Sequence, residues 1–352
     1  MTSQRVFRAD EMGPFIAALF AAAGLSLPAA QRVSDALVEA DLSGRGSHGI
    51  LQADGYLARL MAGAMSTSDT PRIVSDRGGA IVLDAEGIEG HLAAEEAIHI
   101  GVTRAREQGV ATVAVRHGFH FGVAGRYVRL AAEQGCVAIV MCNTKPVMAA
   151  PGGAERLVGT NPLAIGIPTL DEPFVLDMAT STGSYGRIRQ ARAAGQAIPP
   201  DWALDADGEP TTDAAAAMEG FLLPMAGAKG FGLSLAIDLL SGLLASGGWG
   251  AGLGSIDDDV SKPSNGAYLF IVIDIAHFRP PEEFREQSSA AGKRVRSSRR
   301  AQGTQRLYTP GERSAETLAN NDGTLSLAPS VVSALIVRAA ALGVTVPDFL
   351  QG

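Results

Sequence analysis

Apolar residues recur at three- and four-residue intervals through two opening segments, about residues 10–23 and 28–42, and predict two amphipathic helices. In the second, Val33, Ala36, Leu37 and Ala40 form the apolar face. Ser26 is placed to cap its start, Pro28 sits near its first turn, and Gly44 is a natural stop. A third helix, 52–61, follows the turn Ser47-His48-Gly49. Strand-like runs at 80–84, 110–115 and 136–141 then alternate with helical patterns at 92–108 and 123–134, which predicts an α/β lobe. Residues 143–160 are rich in Gly and Pro and form a candidate active-site loop. Short strands at 164–168 and 174–178, a helix at 230–244, a strand at 267–273 and a helix at 329–342 complete the pattern. The alanine run 214–217 reads as a surface turn or short helix.

The glycines of Gly44-Arg45-Gly46-Ser47-His48-Gly49 fit the spacing G-x-G-x-x-G of a Rossmann dinucleotide site. That fingerprint needs a strand before it, a helix after it and an acidic residue about 20 positions on. Here a helix precedes it, and Asp69 lies in a Ser/Thr/Asp/Pro-rich stretch with no strand leading to it. The glycines therefore end a helix and turn the chain, and the Rossmann reading is rejected.

At 352 residues and 46 % hydrophobic, the chain can bury a large core in two or three lobes. Divisions are expected at 1–72 (helical, carrying His48), 73–309 (α/β, cofactor-binding) and 310–352 (helical). A net charge of −8 argues against nucleic acid as a partner. The basic run from Lys293 to Arg300 reads as a solvated loop or helix face. The longest apolar stretch, 231–245, is broken by Asp238 and is too short for a bilayer, so no membrane partner is expected. Cys136 and Cys142 lie six residues apart in one strand, roughly 20 Å, beyond disulfide reach. Buried thiols in a reducing cytoplasm follow.

Four polar constellations carry candidate chemistry. His48 sits between glycines at a turn, where a ligand can approach the imidazole. His120 follows a strand and precedes a helix, where α/β lobes place ligands, although a helix-capping role accounts for it equally well. His117 and His120 have no acidic or cysteine neighbours in sequence, so no metal site is expected. Thr160 and Asn161 precede Pro162, and Asp177 to Ser181 end a strand; both segments could orient a carboxylate or a ribose, or serve as turn chemistry. Lys229, one of four lysines against twenty-five arginines, lies beside Gly230 at a predicted helix start. A cation there is unfavourable unless an anion joins it, which points to an anionic ligand.

Taken together, these segments resemble the type 2 malate/L-lactate dehydrogenase family, whose members include ureidoglycolate and sulfolactate dehydrogenases, diketogulonate reductase and a cyclic-imine carboxylate reductase. The resemblance runs almost end to end, through Ser47-His48-Gly49, His120-Phe121-Gly122, Gly159-Thr160-Asn161-Pro162 and Asp177-Met178-Ala179-Thr180-Ser181. It continues through residues 199–212, 223–230 and 238–242 and ends at Pro310-Gly311-Glu312. It implies a homodimer with a non-Rossmann α/β fold around a mixed, largely antiparallel sheet. It also implies NAD or NADP as cofactor and hydride transfer to or from C2 of a 2-hydroxy or 2-oxo acid. By motif, His48 is the favoured acid/base and His120 the second candidate, also near the cofactor. Ser47 and Thr160 would fix the substrate. Asp177, Met178, Ala179, Thr180, Lys229 and Gly230 would hold the nucleotide, completed by Gly311, Glu312 and Arg313.

Three positions depart from the family pattern: Gln52 stands where many members carry arginine, Arg187 where lysine is common, and Gly118 where serine is frequent. They leave the reaction class intact and leave the substrate open. Arg187, or Arg45 beside the histidine, is the candidate to take over the carboxylate. The competing expectations are a cyclic-imine carboxylate reductase on the same scaffold and a non-catalytic nucleotide-binding homologue.

Overall fold

In a computed structural model, residues 4–255 and 258–351 are described. The chain opens with strand β1 (Arg5–Arg8) and helices α1 (Ala9–Ala22), α2 (Leu27–Leu42) and α3 (Ala53–Met61). Then come β2 (Arg72–Arg77), β3 (Ala80–Asp84), α4 (Gly90–Gln108), β4 (Val110–Gly118), α5 (Ala124–Glu133), β5 (Cys136–Cys142), β6 (Leu163–Ile167) and β7 (Phe174–Met178). A smaller lobe follows, with α6 (Tyr185–Ala194), β8 (Ala203–Leu204), α7 (Ala214–Glu219) and β9 (Phe221–Leu222). Helix α8 (Ala228–Asp238), strand β10 (Gly266–Asp274) and helix α9 (Pro281–Ser297) lead to α10 (Glu312–Ala319), β11 (Thr324–Leu327), α11 (Pro329–Leu342) and α12 (Asp348–Gln351).

The sheet has seven strands in the order β2-β3-β4-β10-β5-β6-β7. Only β3 and β4 run parallel; every other neighbouring pair is antiparallel. This is the expected mixed, largely antiparallel sheet, and it excludes a doubly wound dinucleotide fold. Helices α4 and α5 cover one face through Ala97, Ile98, Val128 and Ala131, which meet Val113, Val140 and Phe270. The amino- and carboxy-terminal segments share a second core, where Ile16, Leu37 and Tyr56 meet Leu325, Leu335 and Leu350, and β1 pairs with β11.

The helix ahead of the glycine-rich segment is α2, capped as expected by Ser26 Oγ accepting from the Ala29 amide, 3.3 Å. Cys136 and Cys142 are free and buried. The expected helix at 230–244 is two elements: α8 gives way at Asp238 to a π-turn, Leu239–Leu243. There the Asp238 carboxylate accepts Asn143 Nδ2 (2.9 Å) and the Gly250 amide (3.1 Å), tying the helix to the sheet. Ala214 and Ala217, expected in a surface turn or short helix, are buried on the inner face of α7. The basic run lies on the exposed end of α9. No helix of the described residues is long and apolar enough to cross a membrane.

Candidate active site

Residues 44–52 leave α2 through a tight turn, with one 3-10 turn at Gly46–His48 and another at Ile50–Gln52. Asp41 underlies it: Oδ2 accepts the Ile50 amide at 2.8 Å. Burial, only partly offset by that hydrogen bond, pushes the Asp41 carboxyl up to about 6. An acid whose folded pKa exceeds its unfolded value binds more protons when folded, so its ionisation costs stability as pH rises from about 4 through 6. Asp41→Asn keeps the acceptor and removes the charge. It is expected to raise stability at pH 7.5 by up to about 2–3 kcal/mol and leave it unchanged at pH 4. Denaturant melts at both pH values check this, and an equal gain at both would exclude a charge effect.

The turn carries His48 to the His120 ring: their centroids are 5.5 Å apart and the planes 27° from parallel. Ser47 Oγ lies 2.9 Å from His48 Nδ1, and Gln52 Nε2 donates to the Ser47 carbonyl at 2.7 Å. Gln52 thus braces the turn. Tyr56, on the buried face of α3, places its hydroxyl 2.5 Å from His120 Nδ1. Burial keeps this phenol protonated, far above the ordinary tyrosine value. Donating that proton to Nδ1 leaves the His120 ring proton on Nε2.

Desolvation holds both histidines below the ordinary value, His120 well below it. For His48, Asp177 opposes this while Arg45 and His91 add to it. For His120, the charges of His48 and His91 add to it. The two rings therefore share a pocket built to hold neutral imidazole, the form that accepts a proton. His117 turns elsewhere, its Nδ1 lying 2.9 Å from Asp84.

Asp177 ends β7 and reaches back to this turn, where its carboxylate forms an ion pair with Arg45 and accepts the Gly125 amide at 3.1 Å. Arg45, one of two candidates for a substrate carboxylate, thus already has an anionic partner. Arg187 lies exposed in the first turn of α6, which is capped by Ser184. That turn stands beside the His48 turn, since a Cβ on Gly186 would lie 3.8 Å from Ser47 Cβ.

Thr180 ties two further segments together. Its amide and hydroxyl both donate to the Thr160 carbonyl at 2.9 Å, and its own carbonyl accepts the Met225 amide at 2.9 Å. Thr160 and the turn leading to Lys229 thereby flank the strand that carries Asp177, Met178 and Ala179. Lys229 is exposed in the first turn of α8 and has no ion pair among the described residues, whereas Gly230 is buried against Met225.

A cleft of about 530 Å³ runs from Arg45 and Asp177 past Gly311 and Arg313 to Arg306 and Tyr308. The guanidinium groups of Arg306 and Arg313 both lie over the Tyr308 ring, 4.8 and 4.5 Å from its centroid. Gly311 packs so closely on β7 that an added Cβ would stand 2.8 Å from the Val175 carbonyl oxygen. Glu312 accepts the Thr309 amide and hydroxyl at 2.8 and 2.9 Å and pairs with Arg306. It shapes the cleft wall. Its carboxylate is held within the protein.

A model of the malate/L-lactate dehydrogenase family matches residues 7–335. The chain belongs to that family. The malate dehydrogenase of Pyrococcus horikoshii is 35 % identical over 317 residues, covering 88 % of this chain and 87 % of that one. The structure of sulfolactate dehydrogenase from Methanocaldococcus jannaschii superposes with a TM-score of 0.92 at 31 % identity, covering 97 % of this chain and 98 % of that one. That of delta1-piperideine-2-carboxylate reductase from Pseudomonas syringae gives 0.82 at 28 % identity, over 95 % of this chain and 100 % of that one. Other curated relatives are named as NAD(+)- and NADP(+)-dependent dehydrogenases. The expected family, fold and dehydrogenase class are borne out. Tyr56, Glu89 and His91 carry no sequence signal of a site in this malate/L-lactate dehydrogenase family chain, because Tyr56 and His91 read as ordinary helix positions and Glu89 as the residue before a helix.

Proposed function

We propose that this protein is an NAD(P)-dependent oxidoreductase that interconverts a 2-hydroxy acid and a 2-oxo acid. The observation that carries the reading is the stacked, desolvated His48–His120 pair, joined through the neighbouring Arg45–Asp177 ion pair to an arginine-lined cleft. Both cofactor forms are named among the relatives. The cleft fits such a group: its volume suits part of a dinucleotide, and Arg313, which has no ion pair among the described residues, suits a phosphate. Asp177, Met178, Ala179, Thr180, Lys229, Gly311 and Arg313 would hold the nucleotide. When bound, the nicotinamide supplies or accepts the hydride.

The remaining chemistry belongs to the chain's own side chains. Ser47 holds His48 Nδ1, so Nε2 is the atom that gives a proton to the substrate oxygen on reduction and takes it on oxidation. His120, fixed through Nδ1 by Tyr56, presents Nε2–H as a hydrogen-bond donor beside it. Arg45 is paired with Asp177, so Arg187 is assigned the substrate carboxylate, with Thr160 and Ser47 lining its approach. The likeness to the piperideine-carboxylate reductase supports a second reading, the same hydride chemistry on a cyclic C=N. A spectrophotometric panel of 2-oxo acids and cyclic imines, run separately with NADH and NADPH, tests both. Tight nucleotide binding with no turnover of any of them would instead mark a non-catalytic homologue.

A homodimer is part of this proposal. Leu235, Leu239, Leu240, Leu243 and Leu244 form a stripe along α8 and its π-turn with Trp249 beside them, each 38–56 % exposed. A contiguous apolar patch of this kind suits an interface with a second copy. The double substitution Leu240→Glu/Leu243→Glu is expected to halve the molar mass seen by light scattering. An unchanged dimer would place the interface elsewhere.

A further inference from the structure

Behind the two stacked histidines lies a buried ionisable pair with no role in the mechanism above. Glu89 and His91 are 0 % and 1 % exposed. Glu89 Oε1 lies 2.8 Å from His91 Nδ1, while Oε2 accepts the amides of His91 (2.8 Å) and Leu92 (3.4 Å) at the start of α4. The His91 ring meets the Tyr56 ring at a centroid distance of 6.0 Å, close to edge-on, and its Nε2 packs against Gly122. Tyr56 in turn holds His120 Nδ1. A carboxylate, an imidazole, a phenol and an imidazole thus stand in series and end at His48. Burying two ionisable groups costs more than filling the same space with apolar side chains. Their contact with the site supplies a reason for keeping them.

We propose that Glu89 and His91 are positioning residues that act on His120 and His48 through Tyr56 and set the pH range over which the histidine pair exchanges its proton. This rests on the dehydrogenase reading for its use in catalysis, but not for its effect on the two rings. Burial lowers the His91 pKa, yet the charge and hydrogen bond of the adjacent Glu89 carboxylate, with the charge of Glu95, together offset this and hold it above the ordinary value. The resulting imidazolium faces Tyr56 and adds to the desolvation that keeps His48 and His120 neutral. The other charged groups around the cluster are paired: Arg45 with Asp177 beside His48, and Glu95 of α4 with Arg32 and Arg126, the latter also meeting Glu39. The phenols of Tyr127 and Tyr268, raised well above the ordinary value by burial, donate to the Phe121 and Phe119 carbonyls and stay neutral.

His91→Gln and Glu89→Gln, made in the full chain, test this by NMR titration of the His48 and His120 ring protons alongside pH profiles of kcat/KM. His91→Gln removes the imidazolium. Glu89→Gln keeps the ring but removes the partner that charges it. Both are expected to move the two titrations upward, by about one pH unit in His91→Gln, with KM changed less than about threefold. The pH midpoint of turnover should follow. A packing role predicts that Glu89→Gln leaves the titrations in place, and unshifted titrations in a folded variant overturn the proposal. Should His91→Gln fail to fold, Glu89→Gln decides alone. Shifted titrations in a protein that turns over neither 2-oxo acids nor cyclic imines would retain this inference and discard the dehydrogenase reading. Turnover without a shift would do the reverse.

Discussion

His48→Asn is expected to lower kcat for 2-oxo acid reduction by about a thousandfold, with KM moving less than threefold. General acid–base groups contribute 10²–10⁴-fold, and asparagine matches the size of the ring's inner edge without titrating. His120→Asn is expected to cost less, about tenfold, because His120 orients and donates while His48 carries the proton. The ranking is the test. Near-normal activity in His48→Asn beside a collapse in His120→Asn would transfer the acid/base role to His120.

The desolvated pair also fixes the direction of the pH response. A histidine held below its ordinary pKa is a base at neutral pH, so the oxidation rate should rise with pH through a midpoint on the acid side of pH 6.5. Reduction needs the protonated ring and should fall across the same interval as pH rises. Stopped-flow rates in both directions locate that interval.

Gly90→Ala is expected to destabilise the fold by about 3 kcal/mol or more and to remove activity with it. Gly90 opens α4 directly beneath the backbone of the His120 segment. An added Cβ would stand 2.7 Å from the Phe119 carbonyl oxygen and closer still to that of His120. Neither is the end of a flexible side chain, so α4 or the His120 loop must move, and Glu89 moves with it. Gly232→Ala is the control. It lies inside α8 with nothing within 4 Å of its added Cβ, and alanine there should stabilise by about 1 kcal/mol. Urea unfolding of the two variants separates the cases. A Gly90→Ala protein as stable as the parent would show that the contact can relax.

The contrast between these glycines marks what a sequence can and cannot disclose. The elements with strong apolar periodicity stood out: α1, α2, α4 and α5, with the buried strands β3, β4, β5 and β10. Strand β2 was not legible because Arg72, Ser75, Asp76 and Arg77 lie on a largely exposed edge, where neither alternation nor apolar content is demanded. Helix α9 was missed for the same reason, since only Ser289 of its seventeen residues is buried. At the site, His48, His120 and the Asp177 and Lys229 segments could be picked out by local chemistry and resemblance. Tyr56 and His91 could not. Tyr56 meets His120 across 64 residues, and what makes Glu89 and His91 notable is their burial, which two polar positions at a helix start do not reveal.

The strand order carries a consequence for how the molecule is assembled. Strand β10, residues 266–274, lies at the centre of the sheet between β4 and β5, yet it is the last of the seven to be synthesised. Until it arrives, β2-β3-β4 and β5-β6-β7 are two half-sheets, each with an open hydrogen-bonding edge facing the other. Strand exchange between nascent chains is therefore most dangerous late in translation, and closure by a distant segment makes for slow folding. The central strand acts as a keystone: the two halves wait for it, and with it arrives Tyr268, whose hydroxyl holds the Phe119 carbonyl beside His120.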